Sequence, residues 1–149
     1  MQKYIDAGLN IAIGTDGPSS NNGLDMFREM FLACVVQKVN DMNAEVCSAE
    51  KILLAATAGG AKAMGLQDCD CIAAGKQADM TVIDLDRPSM RPIINIPKNL
   101  VYSGGKDCVK LTMVAGRVLY ENGEFFIGAE PGRIYADAEA ELKKMQSEL

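Results

Sequence analysis

The sequence predicts a mixed architecture, an α/β segment over residues 1–66 followed by a β-rich segment over residues 67–149 that ends in a helix. Three observations predict it. The apolar run Leu9, Ile11, Ala12 and Ile13 stops at Gly14-Thr15-Asp16-Gly17, the pattern of a buried strand that turns at its carboxyl end. From Leu24 to Ala58 apolar residues recur at spacings of three and four, as on packed helices. Beyond Ile72 short alternating runs are separated by Gly and Pro, which reads as strands and turns.

The opening strand carries its one acidic side chain, Asp16, to the place where α/β sheets and barrels hold their chemistry. A carboxylate there can bind a divalent cation or exchange a proton with water; it can equally cap the next turn, since Asp and Gly are common turn residues. Asn22 is expected to cap the following helix, with Asp25 near its positive end. That helix is read through Leu24, Phe27, Phe31 and Cys34 or Val35, with Met26, Met30 and Ala33 widening the buried stripe as core filler.

Asp41 to Cys47 is a polar connection, and Ser48 with Glu50 opens a second helix through Ile52, Leu53, Ala56 and Ala58. Gly59-Gly60 interrupts it. Close packing against a neighbouring backbone explains the pair better than a phosphate loop, because no Gly-Lys-Ser or Gly-x-Gly-x-x-Gly pattern accompanies it. Gly65 suits a left-handed helix cap.

A subdomain boundary is placed near residue 66. Ala78 to Asp84 alternates as a half-buried strand, and Asp79 reads as a backbone-capping carboxylate more readily than as a ligand. Pro88, Pro92 and Pro97 mark an irregular connection. Leu100-Val101-Tyr102, Val109 to Val114 and Arg117 to Tyr120 are strand-like, with Ala115-Gly116 as a tight hairpin turn. Ala138, Leu142, Met145 and Leu149 share one face of a terminal amphipathic helix.

Composition narrows the function classes. The chain has 149 residues and a net charge of −5 with few aromatics, so it offers no basic, stacking surface for nucleic acid. No apolar run reaches the 18 or so residues of a membrane span and the amino terminus lacks a signal-peptide pattern, so a cytoplasmic location is expected. Five cysteines without export signals read as free thiols, and Cys69-Asp70-Cys71 lacks the second ligand pair of a zinc site. There is no histidine.

The block Gly14-Thr15-Asp16-Gly17, Ser20-Asn21-Asn22, Leu24-Asp25-Met26 and Glu29-Met30 resembles the last barrel strand and helix of the amidohydrolase superfamily. Within it the chain looks most like the S-adenosylhomocysteine and methylthioadenosine deaminases and the related chlorohydrolases. Ala55-Ala56-Thr57, Ala63-Met64-Gly65-Leu66, the Gly75-Lys76 and Ala78-Asp79 pair of dipeptides and Leu100-Val101-Tyr102 extend the resemblance over roughly residues 5 to 125. Asp70 and Cys71 depart from it at the entry to the first sandwich strand.

The resemblance implies a (β/α)8 metal-dependent hydrolase barrel with a composite β-sandwich. It also implies a divalent metal, usually zinc, held by several histidines and by the aspartate of the eighth strand, here Asp16. That aspartate would also shuttle a proton from the attacking water, with Ser20, Asn21 and Asn22 at or behind the substrate pocket. A whole barrel needs about 250 residues, so the expectation is the C-terminal portion of a longer hydrolase, from a truncated gene or a surviving piece.

The intact protein would deaminate or dechlorinate an aromatic ring such as an adenosine derivative, its partner a small molecule. This chain alone, with one ligand, is expected to hold no metal tightly and to be inactive. The alternative is a non-catalytic fold remnant or oligomerisation module. Either way exposed strand edges favour a homo-oligomer or association with the missing N-terminal part.

Overall fold

The computed structural model describes residues 1–148, in a helical layer, a small antiparallel sheet whose first strand precedes the last helix of that layer, and a terminal helix. Leu149, expected on the terminal helix face, lies outside the described residues.

A short helix α1 (Gln2–Asp6) leads into residues 9–17, which form neither helix nor strand. This differs from the predicted strand, and the reason is that no strand runs beside it among the described residues: a ladder needs a second backbone to take its N–H and C=O groups. The strand character survives in burial. Ile11, Ile13 and Thr15 are half-buried while Ala12, Gly14 and Asp16 are exposed, the two-residue alternation of a pleated segment.

Bonds from Asn10 and Ile13 tie the first part of the segment down. Ile13 N donates to Ala55 O at 3.1 Å, and the Asn10 side chain donates to Gly59 O at 2.9 Å. Gly59 is needed there, because a β-carbon on it would sit 2.2 Å from the Ile11 carbonyl oxygen. Close backbone packing is therefore what Gly59 provides, whereas a β-carbon on Gly60 would meet nothing closer than 3.9 Å.

Helix α2 (Pro18–Asn21) is a single turn that Asn22 terminates at φ 62°. Asn22 thus ends one helix and does not cap the next. That task falls to Asp25, whose carboxylate accepts from Phe27 N and Arg28 N at the start of α3 (Met26–Asp41). Because α3 begins after Leu24, that residue stays exposed, and Phe27, Met30 and Cys34 carry the inward face.

Ser48 caps α4 (Ala49–Ala56), and α5 (Ala58–Ala63) follows after a break at Thr57, earlier than the glycines. The Thr57 hydroxyl donates back to Leu53 O at 2.8 Å as the chain turns. Gly65, at φ +73°, fits the predicted left-handed cap.

Leu100-Val101-Tyr102 belongs to a helix, α6 (Ile96–Ser103), and not to a strand. Two local signals outweigh the β-propensity of this triplet: the Asn95 side chain accepts from Lys98 N, and Pro97 lies in the first turn. Tertiary packing completes the case, with Val101 buried among Met30, Cys34, Cys47, Ala49 and Ile52. Gly104, just past α6, lies against Phe27; a β-carbon would come within 2.8 Å of its ring.

The sheet has order β1 (Met80–Ile83), β2 (Val109–Val114), β3 (Arg117–Glu121), β4 (Glu124–Phe125), all antiparallel. Met80 faces Met113, Val114 faces Arg117 and Tyr120 faces Phe125. Ala115 and Gly116, at φ 50° and 77°, make the expected tight turn. Asp79 braces it, accepting from Ala115 N at 2.6 Å and from the Gln77 amide, and these bonds hold its carboxyl below the usual carboxylate range. Helix α7 (Pro131–Ser147) closes the chain with no buried residue.

Candidate functional site

Asp16 sits at the end of the 9–17 segment, with its backbone in the left-handed region at φ 57°. Aspartate is among the few residues that tolerate this conformation, because its short polar side chain bonds locally. Here it does so with both oxygens. Oδ1 accepts from Gly17 N at 2.7 Å, and Oδ2 accepts from the Ser20 hydroxyl at 2.9 Å. The two bonds favour the ionised form and hold the Asp16 carboxyl below the usual carboxylate range, the Gly17 bond most strongly.

Asn21 supports the same loop from below. Its amide nitrogen donates to the Thr15 carbonyl at 2.7 Å and to Glu29 Oε1 at 2.7 Å. The structure therefore brings Asp16, Ser20 and Asn21 into one hydrogen-bonded unit and leaves Asn22 exposed beside it as the α2 terminator. Glu29 joins this unit although its place in the sequence assigns it no role. Its place within the Leu24 to Met30 block was the available signal, but a contact eight residues back in sequence follows no helical or strand spacing.

Among the described residues no three His, Cys, Asp or Glu side chains converge to hold a metal ion. Asp16 is one exposed carboxylate, which does not by itself fit the four-ligand geometry of zinc. Other acidic groups are engaged elsewhere: Asp70 pairs with Lys76 at 2.8 Å, and Asp84 accepts from Asp86 N and Arg87 Nε. Cys69 and Cys71 are free thiols, as are Cys34, Cys47 and Cys108. An open groove of about 610 Å³ runs between Leu9, Ile11, Leu54 and Lys62, and Asp16 is not part of its lining. No helix of the described residues is long and apolar enough to cross a membrane.

The model of the amidohydrolase family matches residues 1–119. The chain belongs to the amidohydrolase family. Similar curated amidohydrolase relatives include a 5-methylthioadenosine/S-adenosylhomocysteine deaminase of Thermococcus onnurineus, 42% identical over 85% of this chain and 30% of that protein. A 5'-deoxyadenosine deaminase of Methanosarcina mazei is 38% identical over 82% of this chain and 28% of its own length.

Among solved structures, a zinc-bound adenosine deaminase from Xanthomonas campestris superposes with a TM-score of 0.91 at 34% identity, over 96% of this chain and 33% of that one. A zinc complex of an atrazine chlorohydrolase from Arthrobacter aurescens gives 0.85 at 30% identity, over 93% and 31%. The chain thus spans about 30% of the length of the curated relatives it matches. Its helices and small sheet are a partial piece of the fold these amidohydrolases share.

Proposed function

We propose that residues 1–66 form the last strand and following helices of a (β/α)8 amidohydrolase barrel, and residues 67–149 part of its C-terminal sandwich with a terminal helix. In the intact protein this piece would contribute Asp16 to a metal-dependent hydrolase that removes an amino group from an adenosine-type nucleoside. The observation that carries the reading is Asp16 itself: an ionised carboxylate fixed by Gly17 and Ser20, in a family whose similar members are deaminases and zinc-bound hydrolases.

Each Asp16 oxygen accepts one hydrogen bond and keeps lone pairs free. Asp16 would hold zinc as one ligand, and zinc would supply an activated water near neutral pH. Ionised at that pH, the same carboxylate would accept the proton that the attacking water gives up. Ser20 and Asn21 act by holding the Asp16 loop, and Asn22 lies at the pocket lip. The remaining ligands would come from the rest of the intact protein, since this chain has no histidine. The chain alone holds zinc weakly and does not turn over substrate.

A chimera tests this. This chain replaces the matching segment of the Thermococcus onnurineus deaminase, and zinc content and deamination of 5'-methylthioadenosine are measured. We expect both in the chimera and the loss of both with Asp16→Ala. A folded Asp16→Ala chimera with full zinc and full turnover overturns the reading.

The absence of histidine also favours a second reading, a non-catalytic fold remnant or oligomerisation module acting in the cytoplasm. Under it Asp16→Ala leaves every function of the chain intact. Both readings include self-association, or association with a complementary barrel piece, through apolar surface such as Ile134, Leu142 and Met145 of α7.

A further inference from the structure

We propose that Glu29 is a positioning residue for Asp16, acting through Asn21 on the peptide that precedes the carboxylate. This rests on Asp16 being the functional group of the site, as proposed above. The two bonds that fix the Asp16 carboxylate, to Gly17 N and to Ser20 Oγ, are local: they set its orientation relative to its own turn. They do not fix that turn to the body of the protein.

The link is Asn21. One side-chain amide nitrogen donates to Thr15 O at 2.7 Å and to Glu29 Oε1 at 2.7 Å, using both of its hydrogens. Both partners can only accept, so the orientation of the amide is fixed by chemistry. Thr15, Asn21 and Glu29 are all half-buried, whereas Asp16 and Ser20 are exposed, so the clamp lies beneath the turn.

Glu29 stands in the first turn of α3, a helix that Asp25 caps and that enters the core through Met30 and Cys34. The chain of contacts therefore runs from the core, through α3 and Glu29, to Asn21 and the Thr15 carbonyl. Thr15 O belongs to the peptide whose nitrogen is that of Asp16. Holding that carbonyl resists rotation of the peptide out of the left-handed conformation at Asp16, which for a non-glycine residue is unfavourable without compensation.

Hydrogen exchange of the Gly17, Ser20 and Asn21 backbone amides in the 149-residue chain tests the clamp. Glu29→Ala is expected to speed it about tenfold, the loss of one such bond. Glu29→Gln keeps an accepting oxygen and is expected to restore slow exchange, a rescue that a general loss of helix stability would not show. Asn21→Ala removes the bridge without touching α3 and is itself expected to speed exchange of the Gly17 and Ser20 amides about tenfold, so the test stands even should Glu29→Ala fold poorly.

Unchanged exchange in Asn21→Ala, or Glu29→Gln as fast as Asn21→Ala, overturns the proposal. Because the readout is backbone exchange and neither metal content nor turnover, the clamp stands or falls separately from the metal-ligand reading of Asp16.

Discussion

The α-carbon of Gly59 faces the Ile11 carbonyl so closely that a β-carbon would stand 2.2 Å from its oxygen. Backbone, not a flexible side chain, is what it would strike. Gly59→Ala is therefore expected to push the 9–17 segment off α5 and to cost about 1–3 kcal/mol, the usual range for overpacking. The shift in urea midpoint reads it, and an unchanged midpoint would contradict this packing.

The start of α3 depends on one carboxylate. Asp25 accepts from Phe27 N at 3.0 Å and Arg28 N at 3.3 Å. Asp25→Ala should cost about 1 kcal/mol and Asp25→Asn a few tenths, as for other N-caps. Thermal unfolding followed by far-UV circular dichroism compares the two. Equal losses in both variants would show that the side-chain acceptor is not what matters.

The β2–β3 hairpin should loosen in acid. The Ala115 N–H and the Gln77 amide lower the Asp79 carboxyl below its unfolded value. A group depressed in the folded state adds stability that is present above its unfolded pKa, about 4, and is lost as pH falls through the folded one. The Ala115 amide resonance should therefore move below pH 4, and Asp79→Asn should remove that movement. A midpoint at or above the ordinary carboxylate value would refute the capping role.

Alkaline behaviour turns on Tyr102, whose hydroxyl lies 3.1 Å from the buried Cys34 sulfur. Desolvation first, then the Cys34 contact, push its pKa up to about 12. A group raised in the folded state leaves stability intact below its unfolded pKa, about 10, and erodes it as pH climbs toward the folded value. Phenolate absorbance should show one tyrosine titrating late, absent in Tyr102→Phe. All four tyrosines titrating together near pH 10 would refute it.

Association should run through α7, where Ile134, Tyr135, Leu142 and Met145 are all exposed. Light scattering during size-exclusion chromatography should find the wild-type chain larger than a monomer and the double variant Leu142→Glu, Met145→Glu closer to one. A clean wild-type monomer at high dilution and at high concentration would exclude this.

Local chemistry was the legible part of the sequence. The Ala115-Gly116 turn, the Gly65 cap, the Ser48 start of α4 and the bracing role of Asp79 all follow from residues that act on their near neighbours. What sequence left hidden depended on distant partners. The 9–17 segment has strand periodicity but no adjacent strand among the described residues, and Leu100-Val101-Tyr102 has strand composition but a capped, core-packed helix around it. At the candidate site Asp16, Ser20 and Asn21 were singled out from their grouping, while Glu29 entered only through a contact that no periodicity encodes.

At position 16 two demands fall on a single residue type. The backbone accepts glycine, asparagine or aspartate at φ 57°, and the bonds from Gly17 and Ser20 ask for a short carboxylate. Glycine would relax the chain and forfeit the charge, asparagine would keep the shape and forfeit the charge, and glutamate would keep the charge and misfit the turn. Only aspartate meets both, so a substitution series here separates geometry from charge: a property that asparagine preserves belongs to the loop, and one that it abolishes belongs to the anion.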